Sequence, residues 1–188
     1  MGLLLSDAED LDDSLITRAR RGDGAAVGHL YRRYHHHVRS FARRLLGDAT
    51  SAEDLVHDVF VALPRALGGF RAHASLPVFL LSIAANQSRT HVRSAIRRRR
   101  AMDRLELEPT VTSVGPDHAV ERRELATALT LALDSLPDEQ RLAFVLCEVE
   151  ERTAVEVAAI LEIPEGTVRT RVFHARRKLR EHFAGERA

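Results

Sequence analysis

The sequence has little of what a disulfide-bonded, membrane-spanning or catalytic protein needs. Its 188 residues include one cysteine, Cys147, which excludes an internal disulfide framework and a CxxC metal knuckle. No apolar run is long enough to span a bilayer, and the acidic residues 5–15 do not resemble a secretory signal. There is no GxSxG nucleophile motif and no glycine-rich phosphate loop. We therefore expect a cytoplasmic protein that is not an enzyme, is not inserted in a membrane and binds no metal or other cofactor.

Basic charge is concentrated in two segments, although the net charge of the chain is only +1. Residues 89–104 contain seven arginines against one acid, and residues 169–182 contain six arginine or lysine residues against one acid. Nearly all of these are arginine, whose planar guanidinium fits phosphates and guanine edges better than an ammonium does. Two separate basic patches predict two contacts with a polyanion.

The hydrophobic period predicts an all-α chain made of two small helical domains. Within the first domain, Ser51 or Thr50 is expected to cap the helix that "TSAEDLVHDVFVAL" forms, and Pro77 to Arg100 is expected to be one long helix. The stretch 102–117 has β-branched residues, two prolines and a glycine without a helical stripe, so it predicts an extended linker. The expected organisation is a domain over 1–101, a linker over 102–117 and a second domain over 118–188.

The second domain has the pattern of a helix-turn-helix. Thr153 and Glu156 form a capping box at the start of "TAVEVAAIL", and a second helix follows after a short turn, from about Pro164 to Phe183. In such a motif the second helix enters the major groove of DNA. A basic helix alone is as often simply solvated, but the capped helix, short turn and one-sided basic helix together favour DNA. The expected contacts are Thr167, Arg169, Thr170, Arg171, His174, Arg176 and Lys178.

These residues resemble a known family. "IPEGTVRTRVFHARRKL" is similar to the promoter-reading fourth region of sigma-70-family factors, in particular those of the extracytoplasmic-function (ECF) group. "LYRRYHHHVRSFARRLLGDATSAEDLVHDVFVAL" and "FRAHASLPVFLLSIAANQSRTHVRSAIRRRR" independently resemble the second region, which binds polymerase and opens the minus-ten element. The resemblance covers residues 12–183 in order. It implies a dissociable initiation subunit that binds core RNA polymerase and promoter DNA and is controlled by an anti-sigma factor.

The resemblance also implies roles for particular residues. The segment that begins "LYRRYHHH" resembles the family's polymerase-binding helix pair, which implies that Asp54, His57 and Asp58 contact polymerase. His57 stands where the family usually has Gln. The family's minus-ten segment implies that bases and phosphates of the opened strand are held by Phe70, His73, Ser75, Phe79, Asn86, Arg89, Arg93 and Arg97. Phe79 stands where the family most often has Trp. The sequence is compatible with either of two roles for Phe79, stacking on DNA or packing in the core. The residues expected to contact DNA from the second helix of the helix-turn-helix would read the minus-thirty-five duplex.

The sequence also suggests other interpretations. A conventional dimeric helix-turn-helix regulator would need a ligand or receiver domain and a dimer surface, and neither is evident in the first hundred residues. His35, His36 and His37 suggest a metal, but consecutive helical residues point about 100° apart and do not chelate one ion. The acidic residues 5–15 are compatible with a solubilising tail or with a contact to a regulator. Acids near a helix start also complement the helix dipole, which accounts for Asp54 but not for Asp58.

Overall fold

The described part of the chain is helical throughout. The computed structural model describes residues 3–70, 75–105 and 117–185, and within these ranges it contains no strand, which confirms the predicted all-α class. The α-helices are α1 (Leu3–Arg20), α2 (Gly24–Leu46), α3 (Ala49–Ala66), α4 (Leu76–Leu105), α5 (Asp117–Asp134), α6 (Asp138–Phe144), α7 (Ala154–Leu161) and α8 (Glu165–Gly185). A 3-10 turn at Leu67–Gly69 follows α3, and a π turn at Val145–Val149 continues α6.

Helices α1 to α4 form the first bundle. Its core is made of apolar side chains that every one of the four helices contributes, among them Leu15, Phe41, Leu55 and Leu80. Gly47 ends α2 with a φ of 77°, a left-handed conformation that residues other than glycine rarely adopt. This turn sets the direction in which the chain continues into α3. The acidic N-terminal segment belongs to α1, which begins at Leu3.

Aspartates, not hydroxyls, cap α2 and α3. Asp23 accepts from the backbone N–H groups of Ala25 and Ala26 at the start of α2. Asp48 accepts from the backbone N–H of Ser51 at 2.7 Å, so α3 begins one to two residues before the predicted cap at Thr50 or Ser51. That prediction was wrong because an Asp at the position before the hydroxyls competes for the same free N–H groups at least as well.

Helices α5 to α8 form the second bundle and include the predicted helix-turn-helix. The capping box at the start of α7 is present: the Thr153 hydroxyl accepts from the Glu156 backbone, and the Glu156 carboxylate accepts from the Thr153 backbone at 2.8 Å. Helix α7 ends at Glu162, whose φ is 54°, and α8 begins three residues later. The spacing of Val168, Val172, Ala175 and Leu179 at i, i+4, i+7 and i+11 predicts an apolar stripe on α8, and these four residues are buried.

The predicted linker is shorter than expected at both ends. Helix α4 continues through Leu105 and α5 starts at Asp117, so only residues 106–116, which lie outside the described residues, separate the two helices. The two bundles also pack against each other, because α4 contacts α6 and α7. None of the helices described here has the length and apolar character that crossing a membrane requires.

Candidate nucleic-acid interface

One face of α4 carries the residues predicted to contact the minus-ten strand. Phe79, Asn86, Arg89, Arg93 and Arg97 are spaced by 7, 3, 4 and 4 residues, which places them within about 80° of arc on a helix of about 3.6 residues per turn. Asn86 and the three arginines are exposed. The opposite face of the helix is buried in the first bundle through Leu81, Ala84, Ser88 and Ala95. The packing of α4 therefore presents one amide and three guanidinium groups in a single stripe.

Aromatic and arginine contacts hold Phe70, which follows the 3-10 turn after α3. The rings of Phe70 and Phe79 meet edge to face, with centroids 4.9 Å apart, and both rings are half-buried against the core. Arg20 of α1 donates to the backbone carbonyl of Leu67 at 3.0 Å and to that of Phe70 at 3.4 Å. Phe79 thus packs on its neighbours and still lies on the stripe of α4. Ser75 is exposed, and His73 lies outside the described residues.

The predicted contacts of α8 divide between two sides of the helix. Thr167, Thr170, Arg171, His174 and Lys178 lie on one side of its buried stripe, at positions within about 100° of arc. Arg169 and Arg176 lie on the other side, where Arg169 pairs with Glu165 at 2.5 Å and Arg176 pairs with Glu148 at 2.8 Å. A DNA groove that receives the first group of residues would therefore contact Arg169 and Arg176 less directly.

Sequence reasoning missed an exposed aromatic ring on α8. The side chain of Phe173 is 63% exposed and lines a shallow cleft with Arg169, Arg176 and Cys147. Phe173 follows Val172 in sequence but does not share the helical spacing of Val172 and Ala175. This spacing indicates that Phe173 faces away from the core. Cys147 is half-buried in this cleft, where burial raises the pKa of its thiol, so the thiolate is disfavoured.

The three residues predicted to contact polymerase lie together on α3. Asp54, His57 and Asp58 are all exposed and occupy one face of the helix. Asp58 also pairs with His91 of α4, whose Nε2 lies 2.9 Å from a carboxylate oxygen. His91 lies about 140° around α4 from Asn86. The face of the first bundle that carries Asp54, His57 and Asp58 is therefore a different surface from the arginine stripe of α4.

Acids of the second bundle face the arginine stripe. Arg89 Nη2 lies 2.9 Å from Glu139 Oε1, and Arg93 Nε lies 3.2 Å from Asp138 Oδ2. Arg171 of α8 pairs with the other oxygen of Glu139 at 2.6 Å. These partners are 32 to 50 residues apart along the chain, so periodicity gave no signal of them. Within the described ranges, no group of three or more His, Cys, Asp or Glu side chains could hold a metal ion.

Comparison with known proteins identifies both halves of the chain. Residues 30–100 match the family model described as Sigma-70 region 2, and residues 126–179 match the one described as Sigma-70, region 4. The RNA polymerase sigma-H factor of Pseudomonas aeruginosa is 30% identical over 89% of this chain and 91% of its own length. The ECF RNA polymerase sigma-E factor of Escherichia coli is 31% identical over 88% of this chain and 90% of its own.

Two solved structures share the fold. The chain of CnrH, solved in complex with the cytosolic domain of CnrY, has a TM-score of 0.62 and 23% identity and covers 93% of this chain and 98% of its own. The sigma factor RpoE, solved with the anti-sigma factor NepR from Bartonella quintana, has a TM-score of 0.56 and 24% identity and covers 84% and 96%. At these identities the two structures support the architecture of two helical domains.

Proposed function

The chain belongs to the ECF group of the sigma-70 family, and from this premise we propose how its two bundles divide the work of a sigma factor. The protein is a transcription initiation factor that directs RNA polymerase to promoters. In our proposal the domain over residues 1–101 binds core polymerase and opens the minus-ten element, and the domain over 118–188 holds the minus-thirty-five duplex. Polymerase itself performs the chemistry, so the chain has no catalytic role, and it acts where the polymerase is, in the cytoplasm.

The observation that carries the proposal is the one-sided stripe of α4. An amide at Asn86 is able to hydrogen-bond a base edge, and Arg89, Arg93 and Arg97 continue along the same face, where they would neutralise phosphates of the same strand. Phe70, Phe79 and Ser75, at the start of α4, lie where a displaced base would be received, and we assign His73 to the same loop. The polymerase would contact Asp54, His57 and Asp58 on α3.

For the minus-thirty-five element we assign the predicted residues of α8. Thr167, Thr170, Arg171, His174 and Lys178 face one way and would enter the major groove, where arginine pairs with guanine O6 and N7. Arg169 and Arg176, on the other side of the helix, would contact the phosphate backbone at the edge of the groove.

We also propose that an anti-sigma factor holds this chain inactive. A similar sigma factor has been solved together with an anti-sigma factor. The second bundle carries an exposed apolar groove between α5, α6 and α8, lined by Leu125, Leu129, Phe144, Leu179 and Phe183, which suits an amphipathic helix of such a partner.

The decisive experiment is run-off transcription with purified core polymerase, followed by sequencing of the transcript starts. The sigma factor is expected to confer initiation at a defined set of promoters. A conventional helix-turn-helix regulator would neither be retained by core polymerase in a pull-down nor confer initiation on it.

Replacing Asn86 by Ala tests the assignment of the base-reading residue. We expect Asn86→Ala to lose discrimination at one minus-ten position, by about 1–3 kcal/mol, because one base-edge contact is removed. Arg97→Ala is the matched control, since losing a phosphate contact weakens all promoters about equally. Open-complex formation on a set of minus-ten variants measures both. Unchanged base preference in Asn86→Ala would remove Asn86 from the site.

A further inference from the structure

The last residue of α1 reaches the turn that follows α3. Arg20 Nε donates to the backbone carbonyl of Leu67 at 3.0 Å, and Arg20 Nη2 donates to that of Phe70 at 3.4 Å. Helix α1 precedes residues 30–100, which match the second sigma region. The guanidinium therefore ties the backbone of that region to a helix outside it.

The turn between these two carbonyls has little rigidity of its own. Gly68 and Gly69 complete the 3-10 turn that begins at Leu67, and a Cβ at either glycine would meet nothing within 4 Å. Two successive glycines give the backbone the widest choice of conformations that any pair of residues offers. The Phe70 N–H bonds to the Leu67 carbonyl at 3.2 Å, a contact inside the turn itself. Arg20 adds a restraint from another helix at both ends of the turn.

The end of α1 is a firm support for this restraint. Ala19 is completely buried in the core of the first bundle. Arg18 pairs with Asp23 at 2.8 Å, and Asp23 in turn caps α2. The backbone beside Arg20 is thus fixed to the bundle on two sides, so the guanidinium is held where it meets the turn.

Phe70 is the residue whose position depends on this contact. Its ring meets that of Phe79 edge to face, with centroids 4.9 Å apart, and Phe79 lies two helical turns before Asn86 on the same face of α4. Because the Phe70 carbonyl and ring share one Cα, a shift of the held carbonyl also shifts the ring against Phe79. A site that receives one base binds better when its side chains are in place beforehand, since ordering them on binding costs affinity.

We propose that Arg20 is a positioning residue for base recognition at the minus-ten element: by holding the Leu67 and Phe70 carbonyls, it keeps the Phe70–Phe79 pair in the geometry that receives one displaced base. The inference rests on the proposed function, because it presumes that this pair faces the opened strand. Arg20 itself touches no base and acts through Phe70. Lysine is an incomplete substitute, since a single ammonium lacks the planar fork that spans two carbonyls.

Replacing Arg20 by Gln tests the proposal on promoters in which each minus-ten position carries each base in turn. We expect polymerase holoenzyme with Arg20→Gln to lose its preference in open-complex formation by about fivefold or more at one position, and that position should differ from the one affected by Asn86→Ala. Arg20→Lys should keep an intermediate preference. Arg21→Gln is the matched control, because it removes the same charge from the neighbouring exposed residue, and it should keep the native preference.

Three results would overturn the proposal. They are an unchanged base preference in Arg20→Gln, an equal loss in Arg21→Gln, and a uniform loss at every position, which would mean that Arg20 only stabilises the fold. If the native chain itself fails to program core polymerase, the proposed function is wrong. If the native chain initiates and Arg20→Gln keeps its base preference, only the positioning role is wrong.

A fluorescence measurement tests the restraint without polymerase or DNA. The sequence contains no tryptophan, so Phe70→Trp introduces a single indole at the held position. With Arg20→Gln added, we expect acrylamide to quench this indole about twofold faster or more, because a less restrained ring is more often open to solvent. With Arg21→Gln added, quenching should not change. Phe79→Trp places a second reporter on the other ring of the pair and should show the same difference; equal quenching in the Arg20 and Arg21 variants would contradict the proposal.

Discussion

Arg141 is the largest side chain that the described residues bury completely. Burial disfavours its charge and lowers the pKa of the guanidinium, while hydrogen bonding to Asp134 opposes that shift. Its side chain is 1% exposed and that of Asp134 is 12% exposed. A charge buried to this extent is tolerated because the Asp134 carboxylate accepts from Nη1 and the Leu45 carbonyl accepts from Nε, while Nη2 is buried without a hydrogen-bond partner. Removing either acceptor is therefore costly.

Replacing Asp134 by Ala should therefore be severely destabilising. The change leaves Arg141 and Arg99 without their shared carboxylate, and we expect the free energy of unfolding to fall by about 3–5 kcal/mol, as for other broken buried ion pairs. Urea denaturation followed by circular dichroism measures the loss. Glu181→Ala, which removes an acid from an exposed pair with Arg177, is the control and should change stability by less than about 0.5 kcal/mol. Similar midpoints for the two variants would show that the buried cluster contributes little.

At the scale of elements, helix α7 depends on its capping box. It has eight residues, too few to be stable in isolation, and it positions α8 through the turn that follows it. We expect Thr153→Ala to lower the free energy of unfolding by about 1 kcal/mol, because the N–H of Glu156 loses its acceptor. Thr167→Ala is a suitable control, since it removes a hydroxyl from the same motif without touching a cap. Equal thermal stability of the two variants would contradict the role of the box.

The same box gives α7 a pH dependence of known sign. Hydrogen bonds from the Thr153 backbone N–H and then from its hydroxyl hold the pKa of Glu156 below its ordinary value of 4.5. A depressed pKa in the folded state means that the stabilisation is present above about pH 4.5 and is lost as the pH falls through the folded pKa. We expect Glu156→Ala to be less stable than the native chain at pH 7 and to lose less stability on acidification to pH 3. Thermal melts at the two pH values measure this, and parallel acid losses would exclude Glu156 as the titrating group.

The elements predictable from sequence were those whose cause is local. The capping box of α7 and the apolar stripe of α8 depend on residues within a few positions of each other, and both are present. The cap of α3 was missed by two or three positions because Asp48 competes with the hydroxyls of Thr50 and Ser51. The stripe of α4 was predictable as a set of residues on one exposed helix face, but its pairing with Asp138 and Glu139 was not, because that pairing depends on how two bundles dock, which no helical period encodes.

At the scale of the whole molecule, two kinds of polar contact join the bundles, beside an apolar core to which both bundles contribute. Around the edge lie exposed ion pairs, Arg44–Glu150 at 2.9 Å, Arg89–Glu139 and Arg93–Asp138. At the centre lies the cluster of Arg99, Asp134 and Arg141, which is largely shielded from solvent. Salt screens exposed pairs strongly and buried pairs weakly, so the two kinds of contact should respond differently to ionic strength.

Small-angle scattering at low and high salt separates these contributions. A closed chain of this length should have a radius of gyration of about 16 Å. We expect the native chain to keep it from 0.05 to 0.5 M NaCl, because the central cluster persists when the edge pairs are screened. Asp134→Ala should expand more at high salt than the native chain does, since the edge pairs are then screened and the central cluster has lost the carboxylate that Arg99 and Arg141 share. Glu181→Ala should behave as the native chain does. Expansion of the native chain at 0.5 M would instead mean that the exposed pairs dominate the contact between the bundles, and that salt by itself uncovers the α4 stripe that we propose to bind DNA.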